Sequence, residues 1–157
     1  MKKWLKRIGL VLVLIAVGIQ FVPGRRPEPA TVDPAQSLAM HPVFARACID
    51  CHSNQTRWPW YSHVAPTSWF VTGHVNHARR HMNLSEWARY DAGEADHKLK
   101  SICRMAGNGK MPLPSYLPMH PDAKLSPEDI KALCAWTEQE RARLTAPITE
   151  GAPISRQ

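Results

Sequence analysis

Several patterns that mark common enzymes are missing from this 157-residue chain. It has nothing like a hydrolytic triad, a P-loop or a dinucleotide fingerprint, which leaves hydrolytic and nucleotide-dependent chemistry without its usual groups. There is no second Cys-x-x-Cys beyond Cys48 and Cys51. A zinc site needs roughly four ligands, often two such pairs, so that reading is short of partners. No βαβ setting surrounds the one pair, and a thioredoxin-like dithiol wants one. Internal repeats and long low-complexity segments are absent. So is any basic stripe with interleaved aromatics, the footprint expected of a nucleic-acid binder. The net charge is +7, but Lys2, Lys3, Lys6 and Arg7 stand together at the N-terminus. Beyond them 16 basic residues face 13 acidic ones, a mild balance. It suits an ordinary solvated surface, or a weakly basic face for an acidic redox partner, and no nucleic acid is expected.

What the chain does carry is Cys48-Ile49-Asp50-Cys51-His52. Two cysteines two residues apart, followed at once by a histidine, read as a c-type haem attachment site. Each thiol can add to a haem vinyl group, which ties one macrocycle to one turn of backbone. His52 then lies under the iron and can bind it through a ring nitrogen. The zinc half-site and the redox dithiol stay open as alternatives.

No acidic residue accompanies the four N-terminal cations, and Ile8–Val22 follows with Gln20 as its one polar side chain. Fifteen residues fall between a secretory h-region and a full span. Lys6 and Arg7 can snorkel and Trp4 suits an interface, which lengthens the span. No small-x-small cleavage site is obvious, so an uncleaved single-pass anchor is favoured over a cleaved signal peptide. Either way the basic end stays in the cytoplasm and the rest is exported. That places the C-terminal domain in the periplasm of a bacterium, anchored in the inner membrane, where c-type haem is attached. Arg25–Asp33, with Pro27 and Pro29, reads as a short extended spacer.

Pro42 suits the first position of a helix that places Val43, Phe44, Ala47 and Cys48 on one face. A helix delivering the motif is the arrangement of class I cytochromes c. Trp58-Pro59-Trp60-Tyr61 cannot be regular helix, because Pro59 removes a donor and restricts Trp58. The three aromatics Trp58, Trp60 and Tyr61 can wall a haem edge, and Arg57 can pair with a propionate. Packing and a solvated surface are the bland readings of the same residues.

At this point the chain resembles the bacterial haem-binding domain family, a group of c-type-cytochrome-like periplasmic proteins. The residues that carry the resemblance are C-I-D-C-H-S-N-Q-T-R-W-P-W-Y-S and V-A-P-T-S-W, then Arg79–Trp87, Lys110–Tyr116 and His120–Ser126. It covers roughly residues 40 to 140. The resemblance implies a haem-bearing, mostly helical domain and says little about the partner. The chain departs from the family pattern at Cys103, at Cys134, and at Lys110, where an acidic residue is common.

Further on, Thr67–Arg80 reads as a helix with Phe70, Gly73, His74 and His77 on one face. His74, His77 and His81 have near-helical spacing, but no carboxylate or cysteine completes a metal cluster. Ser85 is a candidate N-cap for a short helix over Glu86–Tyr90. Glu94–Ala106 should bury Leu99, Ile102, Cys103 and Ala106, with Gly107 at its end. The loop Asn108–Pro121 holds Met111 between Lys110 and Pro112. Its soft, neutral thioether is the leading distal iron ligand, with Met119, His120 and His81 as rivals. Ser126-Pro127-Glu128-Asp129 starts the last helix, whose inner face is Ile130, Leu133, Cys134 and Thr137. Cys103 and Cys134 either form a disulfide at the base of the Met111 loop or remain two buried thiols.

The expected architecture is all-α: an anchor or signal segment over 1–24, a linker over 25–34, a small cytochrome c-like domain around one covalent haem over 35–145, and a flexible tail over 146–157. The expected function is single-electron transfer, with Cys48 and Cys51 attaching the haem and His52 and Met111 ligating its iron. The redox partner protein stays unidentified. That is a carrier more than an enzyme. The alternative is a haem-based peroxidase, or a gas or redox sensor, with a weakly held distal position and Arg79 or His81 beside it.

Overall fold

The computed structural model describes residues 2–27 and 42–146. Most of the expected linker, the stretch 35–41 and the tail from Pro147 onward lie outside the described residues. Among the described residues every regular element is helical and there is no strand. Helix α1 (Lys2–Gly18) continues into a 3-10 turn at Ile19–Phe21. Together they make 20 residues, long and apolar enough to cross a membrane, with none of that surface buried. At about 1.5 Å per residue this is roughly the 30 Å of a bilayer core.

The chain divides into two compact units, Met1–Glu86 and Trp87–Gln157. In the first, α2 (Pro42–Ala47) begins at the predicted proline and sinks Val43 and Phe44 completely. Burial of one such side chain contributes about 1.5–3 kcal/mol. The helix breaks at Cys48 (φ −127°) and resumes as the single turn α3 (Ile49–His52). Trp60–His63 forms a 3-10 turn, in keeping with the exclusion of regular helix by Pro59. Helix α4 (Thr67–His81) buries Ser68, Thr72, Val75 and Ala78, and so leaves Phe70, Gly73 and His77 outward.

One local expectation, the cap at Ser85, is not met. Ser85 does not cap a helix of its own. It is buried, its hydroxyl accepts the backbone N–H of Asn54 at 2.9 Å, and Leu84–Arg89 is a kinked 3-10 segment. The described start of the spacer, with Val22 before it, makes defined contacts. The Trp69 indole N–H donates to the Val22 carbonyl at 2.8 Å, and Asn76 Nδ2 donates to the Arg25 carbonyl at 2.9 Å. Arg26 donates to the Ser62 carbonyl and lies 4.7 Å over the Trp58 ring.

The second unit is built on α5 (Ala92–Gly107) and α6 (Pro127–Thr145), which pack on each other. Asp91 caps α5 by accepting the Glu94 N–H at 2.8 Å. The left-handed residue that follows the helix is Gly109 (φ 68°), two positions beyond Gly107. Leu99, Ile102 and Ala106 are buried as predicted, together with Ala95. Helix α6 opens with a full capping box: Ser126 Oγ accepts from Asp129 N, and Asp129 Oδ2 accepts from Ser126 N. Leu133 and Thr137 form its buried face. Cys103 and Cys134 are joined by a disulfide across α5 and α6, with Cα atoms 4.8 Å apart. Of the two possibilities left open for these cysteines, the bridge is the one found.

Candidate functional site

The five motif residues form one tight knot of backbone. The Cys48 carbonyl accepts from both Cys51 N (3.2 Å) and His52 N (2.9 Å), while Cys48 N donates back to Phe44 O (3.1 Å). The buried Phe44 thereby fixes where the turn begins. Cys48 and Cys51 are free, half-buried thiols. Burial pushes Cys48 up to about 12, with Cys51 adding to the effect, and pushes Cys51 up to about 11, with Asp50 adding. A reactive redox dithiol requires the opposite shift, toward thiolate, so the environment disfavours that alternative. Among the described residues no three His, Cys, Asp or Glu side chains converge as a metal cluster. The zinc reading gains nothing from the fold.

His52 Nδ1 lies 3.1 Å from the Met82 carbonyl. A carbonyl only accepts, so Nδ1 carries the proton and Nε2 keeps the lone pair. This is the outer hydrogen bond that orients a metal-binding imidazole. Burial also holds His52 below the usual imidazole range, offset in part by backbone hydrogen bonds to Met82 and Ala78. With Nδ1 donating to Met82, Nε2 is the nitrogen that would face a metal.

Around the turn the polar groups interlock. Ser53 Oγ donates to Ile49 O and receives Gln55 N, and Asn83 Nδ2 donates to Asn54 Oδ1. Arg57 does not stand apart for a ligand. Its Nε lies 3.1 Å from Asp50 Oδ1, and its backbone N–H reaches the same oxygen, which closes the loop after the motif. Its side chain is 74% exposed. Arg79 is the cation that sequence reasoning set aside for another role. Its Nη2 donates to Thr56 Oγ1 at 2.9 Å, and its buried Nε has no partner. Burial lowers its pKa, while Cys51 and Glu86 hold it up. Asn54 Nδ2, close in sequence to the motif, is likewise buried without a partner. Position 79 falls four residues after the buried Val75 and seven after Thr72. That spacing is the one signal that turns it inward.

The aromatics separate. Tyr61 is half-buried, and its hydroxyl is raised first by burial and then by Cys51 and Asp50, so it belongs to the motif's surroundings. Trp58 is half-buried under Arg26. Trp60 is 71% exposed and meets Tyr61 edge to face. His81 is exposed and packs on His77, with ring centroids 4.4 Å apart. In the second unit Met111 is half-buried, and its N–H, with that of Lys110, donates to the Met105 carbonyl. His120 stacks on Tyr116 at 3.9 Å, and Met119 is exposed.

These residues fit a haem. Two thiols and a pre-oriented imidazole share one turn, and an unpaired guanidinium N–H and an unpaired amide lie nearby, able to meet carboxylates. The family model described as haem-binding domain matches residues 14–139. No curated protein and no solved structure matches the chain.

Proposed function

We propose, for a chain that belongs to the haem-binding domain family and binds haem, that it is a membrane-tethered c-type cytochrome passing single electrons in the bacterial periplasm. The observation that carries the reading is the Cys48–His52 turn, with its two free thiols and its imidazole set by the Met82 carbonyl. Haem supplies a one-electron iron couple. Cys48 and Cys51 hold it by adding sulfur and hydrogen across one vinyl group each, so the attachment expels no atom. His52 would hold the iron through Nε2, and Met111 would supply a thioether as its second ligand. A soft neutral sulfur and an imidazole as the ligand pair would favour the reduced metal, raise the potential and close the iron to substrates.

Arg79, already short of a partner for Nε, neutralises a propionate. Tyr61 lines the same surroundings. Helix α1 keeps the domain on the membrane with its cationic end in the cytoplasm, and the partner is an unidentified redox protein.

The test is the spectrum of protein matured with the c-type assembly machinery, in both oxidation states, beside Met111→Ala. The proposal expects a low-spin ferric spectrum with a sulfur-to-iron charge-transfer band toward the red, lost in the variant. A high-spin ferric spectrum that shifts readily with cyanide would move the function to a peroxidase or sensor.

A further inference from the structure

The end of α1 is bolted to the domain in a defined register. Gln20 is the one polar side chain of the apolar run. Its amide pairs with both backbone groups of Ala65: Ala65 N donates to Oε1 at 2.9 Å, and Nε2 donates to Ala65 O at 3.1 Å. Val22 is held by the Trp69 indole, and Arg25 by Asn76. Between them Gly24 lies so close to α4 that a Cβ there would stand 2.7 Å from Thr72 Oγ1 and 3.2 Å from Ser68 O. The contacts 22 to 69, 24 to 72 and 25 to 76 advance together. As the chain leaves α1 it therefore climbs α4 from its N-terminus toward its C-terminus.

That register sets depth. A 20-residue span ending at Phe21 brings the edge of the hydrocarbon to about residues 20–22. Groups hydrogen-bonded to Gln20 and Val22, Ala65 and the Trp69 indole, lie at the same level. The side chains at that level are apolar and solvent-facing: Val64 is 47% exposed, Trp69 37% and Phe70 56%. The far end of the helix presents Arg80 and His81. Aromatic and apolar side chains at the boundary, with Arg26 3.1 Å from His63 beside them to meet the headgroups, are the composition of an interfacial contact.

We infer that Val64, Trp69 and Phe70 form a second membrane contact, in which the first turn of α4 rests in the lipid interface and fixes the tilt of the domain. The inference rests on the reading of α1 as a membrane anchor and adds a lipid-facing surface to it. The occupant is phospholipid, because the anchor itself delivers this patch to the boundary.

The full haem-loaded chain in phospholipid nanodiscs tests it. A photoreactive p-benzoylphenylalanine replaces Leu12, Phe70 or Arg80 in turn, and mass analysis after illumination reads what each position captured. The inference expects lipid adducts at positions 12 and 70, with position 70 several-fold above position 80. Adducts at 12 with none at 70, adducts at 70 no greater than at 80, or capture of a second chain at 70 in place of lipid would each overturn it while leaving the anchor intact. Absence of lipid adducts at 12 would remove the anchor, and this contact with it. A second variant, Gly24→Val, pushes the strap off α4 and is expected to cut the yield at 70 while leaving that at 12 unchanged.

Discussion

At the scale of single residues, His52 and Arg79 are each set by a neighbour in a way that suits the proposed haem. The Met82 carbonyl selects the tautomer of His52, and the contact of Arg79 with Thr56 leaves one guanidinium N–H unsatisfied. A half-buried cation beside the motif favours the reduced metal, so Arg79→Gln should lower the reduction potential and the yield of haem-loaded protein. Arg57→Gln should change the potential less, since that cation is exposed and already spent on Asp50; a redox titration of both variants checks the order. In the second unit, hydrogen bonds from Lys100 and then Arg141 hold the Asp96 carboxyl below the usual carboxylate range. A depressed folded pKa means the unfolded chain binds the proton more readily. Its contribution is therefore present above the ordinary carboxylate value near 4. It is lost as pH falls through the lower folded value. Denaturation measured against pH should show this acid limb in the parent and a flatter one in Asp96→Asn.

At the scale of elements, α5 and α6 depend on a covalent tie and a cap. The bridge between Cys103 and Cys134 closes a loop with a sequence separation of 31. In the chain-entropy account it is worth about 3.5 kcal/mol. Cys103→Ala with Cys134→Ala should lower unfolding stability by that order in denaturant titrations, and Ser126→Ala by about 1 kcal/mol more through loss of the capping box.

The same elements show what a sequence makes legible. Ser126 was readable because every partner in its box lies within three residues. Ser85 looked alike, but its hydroxyl meets Asn54, 31 positions away, and a cap preference carries no information about a distant amide. The turn at Cys48–His52 was readable for the same local reason as Ser126. The strap over residues 22–26 was not: its partners include backbone carbonyls, which leave no mark on composition, and its prolines and arginines look like an ordinary spacer. The inward turn of Arg79 is harder to read, because it rests on helical spacing from Thr72 and Val75 and not on nearness to the motif in sequence. Gly107 ends α5 as its sequence suggests, and the left-handed conformation falls two residues later, at Gly109.

At the scale of the whole molecule, the chain has an apolar N-terminal helix strapped to the unit that carries the Cys48–His52 turn, and a second unit of two disulfide-bridged helices. Protein expressed with its N-terminus intact should stay with the membrane through high salt and alkaline carbonate and leave it only with detergent; release by carbonate alone would contradict the tether. The claim on which the rest depends is covalent attachment of one haem to Cys48 and Cys51. Intact-mass analysis of the denatured chain, purified from cells with the c-type assembly machinery, tests it most directly. The account predicts the polypeptide mass plus one haem, reverting to the bare polypeptide when Cys48→Ser and Cys51→Ser are combined. A wild-type chain with the bare polypeptide mass, its haem lost on denaturation, would contradict it.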